Sequence, residues 1–219
     1  MEKNSASSFV ANSGAIIQTQ GFWQRYVQEA TQALNNVEAS LERQVESPEA
    51  VLHNVRAWLL QAESRGNCIY LIGNGGSAAT ASHLAVDFWK NGKVKALTFN
   101  DSAQLTCLAN DLSHEEGFAA AIRAFGKEGD LLIAISCSGT SENIVQGARA
   151  ALAKGMKIIT CSGFNPDNTL RGMGHANFYV PSHSYGITET LHQLLVHAML
   201  DVKMFCDDQQ DIFNRNLPM

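Results

Sequence analysis

The sequence predicts an α/β protein built on a doubly wound parallel sheet of about five strands. Three observations predict it. Short apolar runs such as Cys68-Ile69-Tyr70-Leu71-Ile72 and Leu131-Leu132-Ile133-Ala134-Ile135 have the length and unbroken hydrophobicity of strands buried on both faces. These runs alternate with segments of helical period. Each also ends in residues that break a strand, Gly73-Asn74-Gly75-Gly76-Ser77 after the first and Ser136-Cys137-Ser138-Gly139-Thr140-Ser141 after the second. Ligands of such sheets sit at the carboxyl ends of the strands, so these turns are where function is to be sought.

Along the chain, residues 1–17 are rich in Ser, Ala and Asn and are expected to be partly disordered or to drape over a neighbour. Trp23, Tyr26, Val27, Ala30, Leu34, Val37, Leu41 and Val45 then recur at helical spacing, which predicts one long amphipathic helix of more than six turns. Ser47 before Pro48 reads as an N-cap with Pro at the first helical position, and this second helix runs to a stop near Gly66. Helices over residues 18–65 exceed what one sheet face needs, so they suit an oligomer contact as well as their own sheet. After the first strand and its turn, Ser77 is a plausible N-cap for a helix carried forward by Ala78, Ala79 and Ala81. Ala96–Phe99 is a short strand ending in Asn100-Asp101-Ser102, and helical stretches follow to Asp111 and from His114 to Phe125. Beyond Ile135 the pattern gives a helix from about Glu142 to Lys154, a strand at Lys157–Cys161, a strand near Asn177–Val180 and a helix from Ile187 to about Phe205.

At 219 residues, 45% hydrophobic and 17% charged, the chain reads as a single domain, 1–219, with enough length to bury a real core. The net charge of -5 argues against nucleic-acid binding, and no run is long enough to span a bilayer, so a cytoplasmic protein is expected. Five scattered cysteines, without C-x-x-C spacing, read as buried thiols.

A strand-to-helix turn presents backbone N–H groups and a positive dipole end, and phosphate is its natural guest. Gly73–Ser77 has neither the G-x-G-x-x-G spacing nor the P-loop lysine, so neither a dinucleotide nor ATP is indicated; a tight turn without a ligand is the alternative. Ser136, Ser138, Thr140 and Ser141 place four hydroxyls around Gly139 at the next helix start. Two such turns with no accompanying Lys or Arg suit a phosphate monoester. His83 and Asp87, at i and i+4, share one helix face. They suit a base and acid flanking an enediolate, a pair of divalent-metal ligands, or a structural hydrogen bond. The last helix carries Glu189, His192 and His197. Glu189 and His197 lie about 12 Å apart along a continuous helix, too far to hold one ion from the same chain. Either Glu189 precedes the helix proper, or the two serve sites shared between subunits.

Gly73–Ser77 followed by His83, Asn100-Asp101-Ser102, Asn110-Asp111, Gly129-Asp130 leading to Ile135–Ser141, and the His-bearing last helix together resemble the sugar isomerase (SIS) domain family. Within it the pattern is most similar to the phosphoheptose isomerases. The resemblance covers nearly the whole chain, to about residue 205. It implies a flavodoxin-like sheet and a homotetramer with active sites between subunits. Phosphate would be held by Ser77, Ser136, Ser138 and Ser141, within a substrate site that also includes Gly75, Gly76 and Thr140. Asn74 and Asp101 would touch the sugar. The resemblance further implies a zinc ion on positions matching His83, Asp87, Glu189 and His197, with Asp87 as enediolate base and His197 as its acid partner. Three departures stand out: Asp87 where the family has Glu, Glu189 where it has Gln, and no Asp-Arg pair around Gly186-Ile187. The implied reaction interconverts a ketose and an aldose phosphate. Sedoheptulose 7-phosphate and the heptose 7-phosphate of surface-polysaccharide precursors come first, and another phosphosugar second. A non-catalytic SIS protein that binds a phosphosugar, or a replication initiator as some relatives do, is the remaining reading.

Overall fold

The computed structural model of the chain describes residues 21–208. Its strands are β1 (Glu38–Leu41), β2 (Gln44–Glu46), β3 (Cys68–Ile72), β4 (Lys95–Thr98), β5 (Leu131–Ser136), β6 (Lys157–Gly163) and β7 (Ala176–Val180). The helices are α1 (Phe22–Asn35), α2 (Pro48–Arg65), α3 (Gly76–Lys90), α4 (Ser102–Asp111), α5 (Gly117–Phe125), α6 (Glu142–Ala153) and α7 (Tyr185–Asp208). Together the strands form one seven-stranded sheet in the order β2-β1-β7-β6-β5-β3-β4. The expected five parallel strands are β3 to β7, paired in parallel register through β4-β3-β5-β6-β7. Their apolar runs are buried because helices cover both faces: α2, α3 and α7 on one, α5 and α6 on the other.

The N-terminal region departs from the sequence reading. The expected helix through Val45 stops at Asn35, and the chain turns into a β1–β2 hairpin whose β1 runs antiparallel to β7, with Ala39 opposite Phe178. Val37, Leu41 and Val45 lie four residues apart, a spacing that a strand pair meets as readily as a helix. Open edge pairing on β7 decides between them, because four residues of β1 gain a ladder that a free helix end would forgo. Glu42 and Arg43 make the hairpin turn at positive φ, 48° and 69°. Ion pairs from Glu38 to Arg171 (2.7 Å) and from Glu42 to Lys157 (3.1 Å) fasten it to the body. The predicted second helix is as expected: Ser47 Oγ accepts from the Ala50 N–H at 3.2 Å and Pro48 opens the first turn. The segment 1–17, expected to be disordered or draped, lies outside the described residues.

The cysteines divide. Cys137 and Cys161 are buried, Cys68 is half-buried, while Cys107 and Cys206 are exposed, which corrects the expectation of buried thiols for these two. Both sit on helix surfaces rather than in strands. No helix among the described residues is long and apolar enough to cross a membrane.

At the amino-terminal end of the sheet, a fully buried carboxylate holds two crossovers together. Asp130 accepts from Asn67 Nδ2 (3.0 Å), the Cys68 N–H (2.9 Å) and the Lys127 N–H (3.0 Å). These three donors balance the cost of burying the charge. Replacing Asp130→Ala leaves them unpaired in the interior and is expected to destabilise the chain by about 3 kcal/mol in urea unfolding.

Candidate functional site

The turns after β3 and β5 meet at the carboxyl edge of the sheet. Asn74, Gly75, Ser77, Ser136, Ser138 and Ser141 line a cavity of about 260 Å³, with Glu189 and Tyr185 closing one side. α3 starts at Gly76 and α6 at Glu142, so two helix N-termini border this cup and favour an anion there. Ser136 Oγ accepts from the Gly139 N–H at 3.1 Å and Ser138 Oγ from the Thr140 N–H at 3.3 Å. Each hydroxyl thereby keeps its proton to donate to a guest.

Several predicted residues take positions other than expected. Gly75, not Ser77, stands at the cap of α3; Ser77 is buried inside the first turn and still lines the cup. Thr140 is exposed beside the cup rather than in its lining. Asp101 caps α4, its carboxylate accepting from the Gln104 N–H at 3.0 Å, and does not line the cavity. Asn74 is tied reciprocally to the buried Asn143 at 2.9 and 2.8 Å, which pins the glycine-rich turn to the head of α6. Asn143 was not singled out from the sequence; its signal is a polar amide inside the first turn of a helix that starts on a cup. Asn100 similarly clamps α3, donating to Ala78 O (2.9 Å) and Ser82 Oγ (3.0 Å).

Further along α3, His83, Asp87 and His197 converge. Their ligating atoms lie within 4.8 Å of one another, with His83 Nε2 at 3.3 Å and His197 Nε2 at 3.7 Å from Asp87 Oδ2. His197 Nδ1 donates to Gln193 O at 2.9 Å, so a neutral ring presents its Nε2 lone pair to the Asp87 carboxylate. Two acceptors face each other, an arrangement that a cation or a proton between them stabilises. Two imidazoles and a carboxylate are a donor set that fits zinc with a coordination position left open. Glu189 is not part of this group. α7 is one unbroken helix, and it carries Glu189 to the cup and His197 to the cluster, about 12 Å apart along the axis.

His192 is neither a ligand nor a surface group. It is fully buried, with Nε2 donating to Ser162 O at 3.0 Å, and burial pushes its pKa down to about 4. Cys137, beside the cup, is pushed up to about 11 by burial and by the Glu189 carboxylate, so it is a protonated thiol at neutral pH.

A parallel sheet with a hydroxyl-lined cup between two helix N-termini defines an α/β protein with a candidate anion site at its switch point. The chain belongs to the SIS domain family, whose family model matches residues 32–163. It is 33% identical over 174 residues to the DnaA initiator-associating protein DiaA of Yersinia enterocolitica, covering 74% of this chain and 89% of that protein. Among solved structures it resembles phosphoheptose isomerase GmhA from Neisseria gonorrhoeae, with a TM-score of 0.73 and 27% identity over 85% of this chain and 99% of that one. A phosphoheptose isomerase from Francisella tularensis shares the fold at a TM-score of 0.71 and 22% identity, covering 88% of this chain and 97% of its own.

Two outcomes follow from this geometry. Gly139 has φ +64°, and a Cβ there would collide with the side chain of Asn168, so Gly139→Ala is expected to distort the cup and abolish anion binding, read by calorimetric titration with phosphate. The second concerns acid. Unfolding exposes a histidine that binds a proton below its ordinary pKa of 6.5, whereas folded His192 resists protonation until about pH 4. The unfolded state therefore carries the extra proton in this window, and stability falls as pH drops from about 6.5 to 4, by about 3 kcal/mol in all. His192→Gln is expected to remove that share of the slope in denaturation curves taken across the window.

Proposed function

We propose that this chain is an aldose–ketose isomerase for a phosphosugar, with sedoheptulose 7-phosphate as its ketose and D-glycero-D-manno-heptose 7-phosphate as its aldose. The observation that carries the proposal is the His83–Asp87–His197 cluster, on the same two helices, α3 and α7, that border the serine cup. A binding protein needs the cup; it has no use for a carboxylate held between two imidazoles. In this reading the cup holds the phosphate through Ser77, Ser136, Ser138 and Ser141. Asp87 takes the proton from the carbon beside the carbonyl and returns it to the adjacent carbon, while His197, entering the step protonated at Nε2, gives that proton to the carbonyl oxygen as the enediol forms and recovers one from the neighbouring hydroxyl. Zinc would be held by His83 and Asp87, with His197 completing the set while its Nε2 carries no proton, and would polarise the sugar's oxygens. The helical rise puts Asp87 about 15 Å along α3 from Ser77, a span that suits an active site completed between subunits. Phe22, Trp23, Val27 and Leu34 leave an apolar face of α1 exposed, which supports α1 as a contact in a homotetramer. The product would feed surface-polysaccharide precursor synthesis in the cytoplasm.

A second reading is a replication-initiator-associating protein, and the 33% identity to DiaA favours it. The two readings separate in one assay. Conversion of sedoheptulose 7-phosphate is followed by NMR with added zinc and after chelation, in the wild type, Asp87→Asn and His197→Ala. Expected are turnover by the wild type, a loss on chelation and a loss of at least about a hundredfold in each folded variant. A wild type that binds the sugar phosphate without converting it overturns the isomerase reading in favour of the binding one.

A further inference from the structure

Among the described residues, Glu189 is the one charged side chain lining the cup, and no Lys, Arg or His joins it there. Its carboxylate rests against Gly76, at the head of α3, where a Cβ would collide with it. It reaches Cys137 electrostatically from the same side. Among the described residues, no hydrogen-bond donor or cation pairs with it. A carboxylate that is half-buried and uncommitted, at a helix N-terminus, occupies the same positive pole that a phosphate would use.

We propose that Glu189 is a charge filter at the cup: an internal anion that competes with phosphate for the head of α3 and so sets the specificity of the site. This rests on reading the cup as a phosphate site. Repulsion between the carboxylate and a phosphate group in one small cavity weakens every phosphate-bearing guest, while a neutral sugar is unaffected. Inorganic phosphate, which has nothing but the cup to bind, then fills it poorly. A sugar phosphate overcomes the repulsion through contacts elsewhere on its chain. Removing the charge while keeping the shape should release the phosphate site to bind on its own.

The test is titration of the full-length protein with inorganic phosphate at neutral pH, by calorimetry or phosphorus NMR. Wild type, Glu189→Gln, Glu189→Asp and Glu189→Gln combined with Ser138→Ala are compared, each verified as folded by circular dichroism. Expected is phosphate binding about tenfold tighter in Glu189→Gln, a gain that shrinks as salt is raised, with Glu189→Asp remaining near wild type and the added Ser138→Ala reversing the gain. Unchanged or weaker binding in Glu189→Gln, with Ser138→Ala still lowering it, overturns the filter and leaves the phosphate cup standing. Absence of phosphate binding in all four proteins overturns both.

Discussion

The site depends on a backbone approach that only glycine permits. Where β3 passes into α3, the chain folds back so tightly that a Cβ on Gly73 would lie 2.6 Å from the carbonyl carbon and oxygen of Ser77. With no side chain at Gly73, the first turn of α3 sits directly on the end of its strand, and its head borders the cup. The Asn74–Asn143 amide pair then transfers that position to α6. Two helix heads are thereby held against one another by one close approach and one pair of hydrogen bonds. Serine hydroxyls can do the work of cations here because the helix termini already supply the positive pole.

Below the cup, the seam between α3 and α7 brings His83, Asp87 and His197 together. Gly76 and His83 are seven residues apart, and Asp87 follows one turn later, so the three fall along one stripe of α3. α7 lies against that stripe. Glu189 meets it at Gly76, and His197 meets it at His83, whose ring centroid is 5.3 Å from its own. A single straight helix therefore supplies one group to each of two regions. Within one chain His83, Asp87 and His197 come together, while Glu189 lies at the cup.

The parallel sheet was legible because its strands are covered on both faces and so read as unbroken apolar runs, Leu131–Ile135 most clearly. The serine and glycine turns were legible because they interrupt those runs. The β1–β2 hairpin was not, since Val37, Leu41 and Val45 fit two periods and only the free edge of β7, distant in sequence, decides between them. Asp101 shows the same limit at the site. The family resemblance makes it a sugar contact, yet a carboxylate before a helix is equally an N-cap, and the Gln104 N–H donates to it. The role of Glu189 was also hidden, because its partner surface is a glycine with no side chain to suggest a contact.

The shortened carboxylate at Asp87 bears on how far the chemistry of relatives carries over. Loss of a methylene withdraws the acid group towards α3, and a base that misses contact distance is a poor one. Here both imidazoles close on it, His83 from the preceding turn of the same helix and His197 across the seam, at 3.3 and 3.7 Å. Leu200 packs on Gly92 just beyond α3, which brings α7 close where a larger residue would push it away. The nearness of the two imidazoles fixes where the carboxylate stands along the seam. The seam between α3 and α7, rather than the sheet the chain shares with its relatives, is therefore where the proposed activity stands or falls.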